Sequence, residues 1–142
     1  MPNSALKGAL EPLTKNYQYV LIDSPAGLEH LNRRLTSKVT DIFDILDHSK
    51  KSLDHVRRAY RIAQEVNIEF NNFYLVGGYR FPDQLGGEAE TTLKFKYLGK
   101  IKSDDELDDY VLTGKSLLEL PSSNAAYHSV KDIMKTAGYI RQ

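Results

Sequence analysis

The chemistry most easily read from this chain lies in five residues, Asp23-Ser24-Pro25-Ala26-Gly27. They follow Tyr19-Val20-Leu21-Ile22, a continuous apolar run of strand length, as expected for a strand covered on both faces. An aspartate at the carboxyl end of such a strand stands where α/β sheets bind ligands. Its carboxylate could accept hydrogen bonds from a magnesium-bound water, because hard cations prefer oxygen. Gly27 has no Cβ, so the backbone there can approach a phosphate closely and its amide can donate to a γ-phosphate oxygen. A plainer role fits the same residues, with Asp23 ending the strand and capping a helix that starts near Leu28. On the residues alone both readings stand. The first needs a phosphate-binding loop earlier in the chain, and only eighteen residues precede Tyr19.

Other patterns carry less. His30, His48, His55 and His128 are scattered without metal-ligand spacing, and structural or surface roles suit each. Gly77-Gly78 and Gly86-Gly87 flank the segment YRFPDQL and are expected to form turns. No Gly-x-Ser-x-Gly elbow and no His-Glu-x-x-His occurs. The absence of cysteine excludes disulfides and thiolate metal ligands within the chain, and no metal-binding residues are expected.

These residues need elements to position them. Leu6, Ala9, Leu10 and Leu13 fall at helical spacing between Asn3 and Lys15, although Gly8 and Pro12 disfavour a helix interior. Val39 to Leu46 reads as a strand that carries Asp41 and Asp44. Ser52 can cap a helix whose apolar face is Leu53, Val56, Ala59, Tyr60, Ala63 and Val66. Its opposite face, Arg57, Arg58, Arg61 and Glu65, reads as solvated. A third strand is expected over Asn72 to Gly78 and a fourth within Thr91 to Ile101. The acidic SDDELDDY predicts a short helix, and Asn124 to Thr136 a last one ended by Gly138. Strands alternating with helices over short connections imply an α/β layer, a mostly parallel sheet flanked by helices.

At 142 residues one domain over 1–142 is expected, and 41% hydrophobic with 27% charged residues is ordinary for a globular protein. Lysine plus arginine equals aspartate plus glutamate at 19 each, which argues against a nucleic-acid binder working through a broad basic surface. No apolar run has membrane-spanning length, and the first residues lack the pattern of a secretory signal. A cytoplasmic protein without membrane or nucleic-acid partners is the expectation.

The stretch YVLIDSPAGLEHLNRR resembles the switch II region of the MinD/ParA-type P-loop ATPases. Its D-x-x-A-G-x-E-H signature, Asp23, Ala26, Gly27, Glu29 and His30, is most similar to the CooC branch, accessory ATPases that insert nickel into carbon monoxide dehydrogenase. Asp47 to Ile68 is similar to the segment after switch II. Tyr97 to Val130, with GKSLLELP, looks like the family's closing strand, acidic turn and last helix. The resemblance covers nearly the whole chain but only the carboxyl-terminal half or so of the family's length. It implies ATP and magnesium as cofactors of the complete protein and a metalloenzyme client. Asp23 would be the catalytic aspartate holding the magnesium-bound water, with Ala26 and Gly27 facing the nucleotide. The family's lysine-bearing Walker A loop and metal-binding Cys-x-Cys pair have no counterpart here. This chain alone is therefore expected to be inactive and to hold no nucleotide tightly, and to associate with itself or with a separate amino-terminal half. Two departures bear on adenine recognition. Gly78 stands where the family has an asparagine, with Arg80 nearby, and Ile101-Lys102-Ser103-Asp104 replaces Ile-Pro-Tyr-Asp. The alternative function is a non-catalytic interaction or regulatory module derived from the same superfamily.

Overall fold

The computed structural model describes residues 2–24, 38–49 and 51–141, with side chains left aside at 2–7 and 11. The elements run α1 (Pro2–Asn16), β1 (Asp41–Leu46), α2 (Ser52–Glu65), β2 (Asn72–Gly77), α3 (Leu85–Leu93), β3 (Tyr97–Lys100), α4 (Asp105–Thr113) and α5 (Ala125–Thr136), with a 3-10 turn at Leu117–Glu119. The three strands form one sheet in the order β1-β2-β3. β2 and β3 are parallel, with Leu75 opposite Tyr97 and Gly77 opposite Lys100. Backbone bonds from Val39 to Glu69, Asn71 to Thr40 and Gly78 to Leu46 advance together along the other pair, as parallel pairing requires. The architecture is thus α/β, a three-strand parallel sheet flanked by helices, as the alternation of strands and helices predicts.

The chain divides into two compact units, Met1–Ile42 with His55–Asn72 and Phe43–Asp54 with Phe73–Gln142. In the first, α2 shows its predicted faces. Val56, Ala59 and Ala63 are buried, and Leu53, Tyr60 and Val66 partly so, while Arg57, Arg58, Arg61 and Glu65 are exposed. The helix closes on Asn67 in the left-handed region at φ 55, with the Ile68 amide bonded to Ala63 and the Asn67 amide to Gln64. That pair of bonds satisfies carbonyls a helix end otherwise leaves open. Tyr60 and Phe70 meet edge to face at 5.9 Å between centroids. α1 runs straight through Pro12, whose missing N–H leaves the Gly8 carbonyl without its usual helical donor.

In the second unit the core is Tyr74, Val76, Leu98 and Ile133, with Phe43, Ile101 and Ala137 packed against it. β2 is its spine, buried from Phe73 to Gly77, because a strand with neighbours on both sides and helices across it keeps no wet face. Gly114 at φ 72 and Gly138 at φ 89 end α4 and α5 with amide bonds of the same kind as at Asn67.

Two sequence expectations change. Tyr19–Ile22 is not a strand: it has no strand neighbour among the described residues, and all four side chains are exposed. A strand exists only through its ladder, so apolar composition alone does not make one. The strand expected within Thr91 to Ile101 is Tyr97–Lys100, residues 91–93 finishing α3. Gly86 and Gly87 form no turn. They lie in the first turn of α3, where a Cβ on Gly86 would come within 2.4 Å of the Tyr97 ring. The glycine lets helix and strand approach closely, and that packing outweighs its low helix propensity.

Candidate functional site at the carboxyl ends of the strands

Ligands of parallel sheets sit beyond the carboxyl ends of the strands, and in the second unit those ends are built from three short segments. After β1, Asp47 closes a turn: its Oδ1 accepts the Ser49 amide at 2.7 Å and its own amide donates to Ser52 Oγ at 3.1 Å. Ser52 is therefore the first residue of α2 rather than its cap, and its buried hydroxyl ties the helix start back to the strand end.

After β2, Gly77 and Gly78 leave the strand end bare of side chains for a packing reason. A Cβ on Gly77 would lie 2.6 Å from the Tyr97 hydroxyl and 2.9 Å from the Phe81 ring. One on Gly78 would lie 2.9 Å from the Leu46 carbonyl oxygen, which already accepts the Gly78 amide at 2.8 Å. Arg80 is stacked over Tyr79 at 5.1 Å from the ring centre. The Tyr97 phenol is pushed up from its ordinary value, mainly by burial and then by the negative charge of Asp83. Asp83 in turn pairs with Lys100 at 3.2 Å.

After β3, Asp104 ties down two helices at once. Its Oδ1 accepts the Glu106 amide at 2.9 Å as the N-cap of α4, and its Oδ2 accepts the Ala125 amide at 3.0 Å in the first turn of α5. Asn124 caps α5 through the Tyr127 amide at 3.1 Å and donates to Glu106 at 3.3 Å. These donors hold the Asp104 carboxyl below the usual carboxylate value, the Ala125 amide contributing most. Beside this cap lies a cleft of about 320 Å³ between β3 and α5, into which Lys100, Lys102, His128 and Asp132 face. His128 Nδ1 and Asp132 Oδ2 are 3.1 Å apart. The buried Ser129 hydroxyl accepts the Lys102 amide at 3.0 Å and donates to the Ala126 carbonyl at 2.7 Å, fixing the wall of the cleft.

Of the residues expected to carry the site, Asp23 is exposed and follows the exposed run Tyr19–Ile22. Ala26 and Gly27, with Glu29 and His30, lie outside the described residues. The described residues fit a magnesium nucleotide in one respect only. Asp23 offers an accessible carboxylate of the type a metal-bound water needs, but they contain no lysine-bearing glycine loop to cradle phosphates. Among them no group of three or more His, Asp or Glu could hold a metal ion, and no helix is long and apolar enough to cross a membrane. The double cap at Asp104 was not foreseen. Its signal in the sequence is an aspartate after a strand followed by Asp105 and Glu106, the composition of a helix start.

The fold and this cluster define an α/β sheet protein with the carboxyl edge of its sheet assembled from strand-end turns and helix caps. The chain is 34% identical over 133 residues to an uncharacterized ATP-binding protein of Methanocaldococcus jannaschii, a match covering 92% of this chain and 53% of that protein. It is 26% identical over 130 residues to a second uncharacterized ATP-binding protein of the same organism, covering 90% of this chain and 48% of that one. The chain thus spans about half the length of the curated relatives it matches. No protein-family model matches it.

Proposed function

We propose that this chain supplies the carboxyl-terminal portion of an ATP-binding protein of the MinD/ParA P-loop type, with the CooC-like nickel-inserting ATPases as the branch it serves. The observation that carries the reading is the match to an ATP-binding protein along nearly the whole chain, of which it covers about half. The parallel strand order and the helix starts gathered at the strand ends support the same class. In the complete protein the nucleotide would supply a transferable phosphoryl group and magnesium its charge neutralisation. The work of this chain is then to present the Asp23 carboxylate to the metal-bound water and the Gly27 amide to the γ-phosphate, a matter of positioning and charge. The cradle of amides and lysine that holds most of the phosphate charge would come from elsewhere. A domain over 1–142 with a cytoplasmic setting and a metalloenzyme client belongs to this reading.

The DNA just upstream of the Met1 codon tests it. A sequence there encoding a glycine-rich lysine loop and a Cys-x-Cys pair supports the nickel-loading assignment, and the absence of both overturns it. The purified chain should show no magnesium-dependent ATP turnover above an Asp23→Ala control. Turnover that the substitution abolishes would mean that this half holds a working phosphate site of its own.

A second reading, a non-catalytic interaction module, is favoured by the exposed apolar run Tyr19 to Ile22. Such a run calls for a second copy or a separate amino-terminal half to cover it. A chain that stays monomeric at high concentration and binds no apolar dye overturns this reading.

A further inference from the structure

The geometry points to a docking surface for a basic amphipathic helix on α4 and the 3-10 turn that follows it, a surface independent of the nucleotide reading. On α4, Asp105 lies three residues from Asp108 and four from Asp109, and Leu112 four from Asp108 and three from Asp109, so these four share one face, with Val111 at its flank. Leu107 and Tyr110, three apart and turned away from Leu112, are the half-buried positions. Val111 is 66% and Leu112 87% exposed, and past the turn at Gly114 Leu117 is 50% and Leu118 97% exposed. Four large aliphatic side chains within eight residues are thus held in water. They are held firmly, because the Lys115 amide bonds to Tyr110 at 3.0 Å, Leu118 to Ser116 Oγ at 3.3 Å and Leu120 to Leu117 at 3.3 Å.

Charge selects the occupant. Residues 104–120 carry Asp104, Asp105, Glu106, Asp108, Asp109 and Glu119 against the single cation Lys115. That cation is folded over the Tyr110 ring, 5.1 Å from its centre. An apolar strip with an acidic rim attracts a partner that alternates leucine-like and lysine- or arginine-like side chains, and it repels anionic lipid headgroups. The occupant is helical rather than extended. The interior backbone of α4 bonds within its own turns, so its face offers side chains, and a helix presents apolar side chains without asking for backbone partners.

Fluorescence anisotropy of the full chain with two synthetic amphipathic peptides tests the assignment. One peptide alternates lysine with leucine at helical spacing, and the other replaces every lysine with glutamate. The lysine peptide should bind at least about tenfold tighter than the glutamate peptide, and more weakly as salt rises. The double variant Leu112→Ser with Leu118→Ser should lose at least about tenfold in affinity for it with an unchanged thermal melt, both residues being fully in solvent. Equal binding of the two peptides, or undiminished binding by the variant, overturns the proposal. So does a concentration-dependent dimer in sedimentation that the same double variant dissolves, because a second copy would then be the occupant.

Discussion

Two apolar runs of similar composition meet opposite fates. Asn72-Phe73-Tyr74-Leu75-Val76-Gly77 is the buried middle strand of the sheet, with Leu75 fully enclosed. Tyr19-Val20-Leu21-Ile22 lies in water, Leu21 at 89% exposure. The aspartates that follow apolar runs divide in the same way. Asp104, beyond β3, binds the amides that begin two helices, while Asp23 ends a run that joins no ladder among the described residues. The local sequence of each run permits a strand. What separates them is a neighbour on each side, and neighbours are set by the rest of the sheet rather than by the run itself.

The comparison breaks most readily at its apolar members. Leu75→Ala should cost about 2–5 kcal/mol in chemical unfolding, because it leaves a cavity in a core strand. Leu21→Ala should change stability by no more than about 0.5 kcal/mol. A comparable loss at both positions would mean that Tyr19–Ile22 is covered in solution, by a second copy or by another chain. The aspartates give a smaller and pH-dependent contrast. Asp104→Asn keeps one acceptor and loses the other, along with the charge, so the variant should melt below the native chain. The native carboxyl is held below its unfolded value, so its contribution is complete above the unfolded pKa of about 3.9 and is lost as pH falls through the lower folded value. The gap between the two melts should therefore be constant from neutral pH down to about 5 and close below about 4. Asp23→Asn should leave the melt unchanged across that range. A gap at Asp23 matching the one at Asp104 would show that the first aspartate also caps a helix.

Much of the fold was legible where a pattern is self-contained. The α2 face from Leu53 to Val66 could be read because helical spacing sorts buried from solvated positions without outside information. The starts of α4 and α5 announce themselves through SDDE and Asn124, which carry their own capping groups. α3 was hidden because its two glycines argue locally for a turn. The reason they are helical, the Tyr97 ring pressed against Gly86, lies eleven residues away on another element. Thr91 and Thr92 belong to α3 although β-branched residues prefer strands, because the helix already claims them. The candidate site was legible only in part. Asp23 could be named from its place after an apolar run, but the cluster joining Asp104, Asn124, Glu106 and Ala125 depends on α5 returning to the end of β3, a contact no single segment encodes.

The bare end of β2 has a consequence for how this edge could change over time. Wherever a protein reads a ligand with a side chain, a point mutation can adjust the reading. At Gly77 and Gly78 that route is closed, because the space a side chain would need is already filled by the Tyr97 hydroxyl, the Phe81 ring and the Leu46 carbonyl. Any contact a ligand made at this position would fall to main-chain groups. Altering it would require remodelling a tyrosine and two strand ends together. This edge of the molecule is resistant to gradual retuning by side-chain substitution.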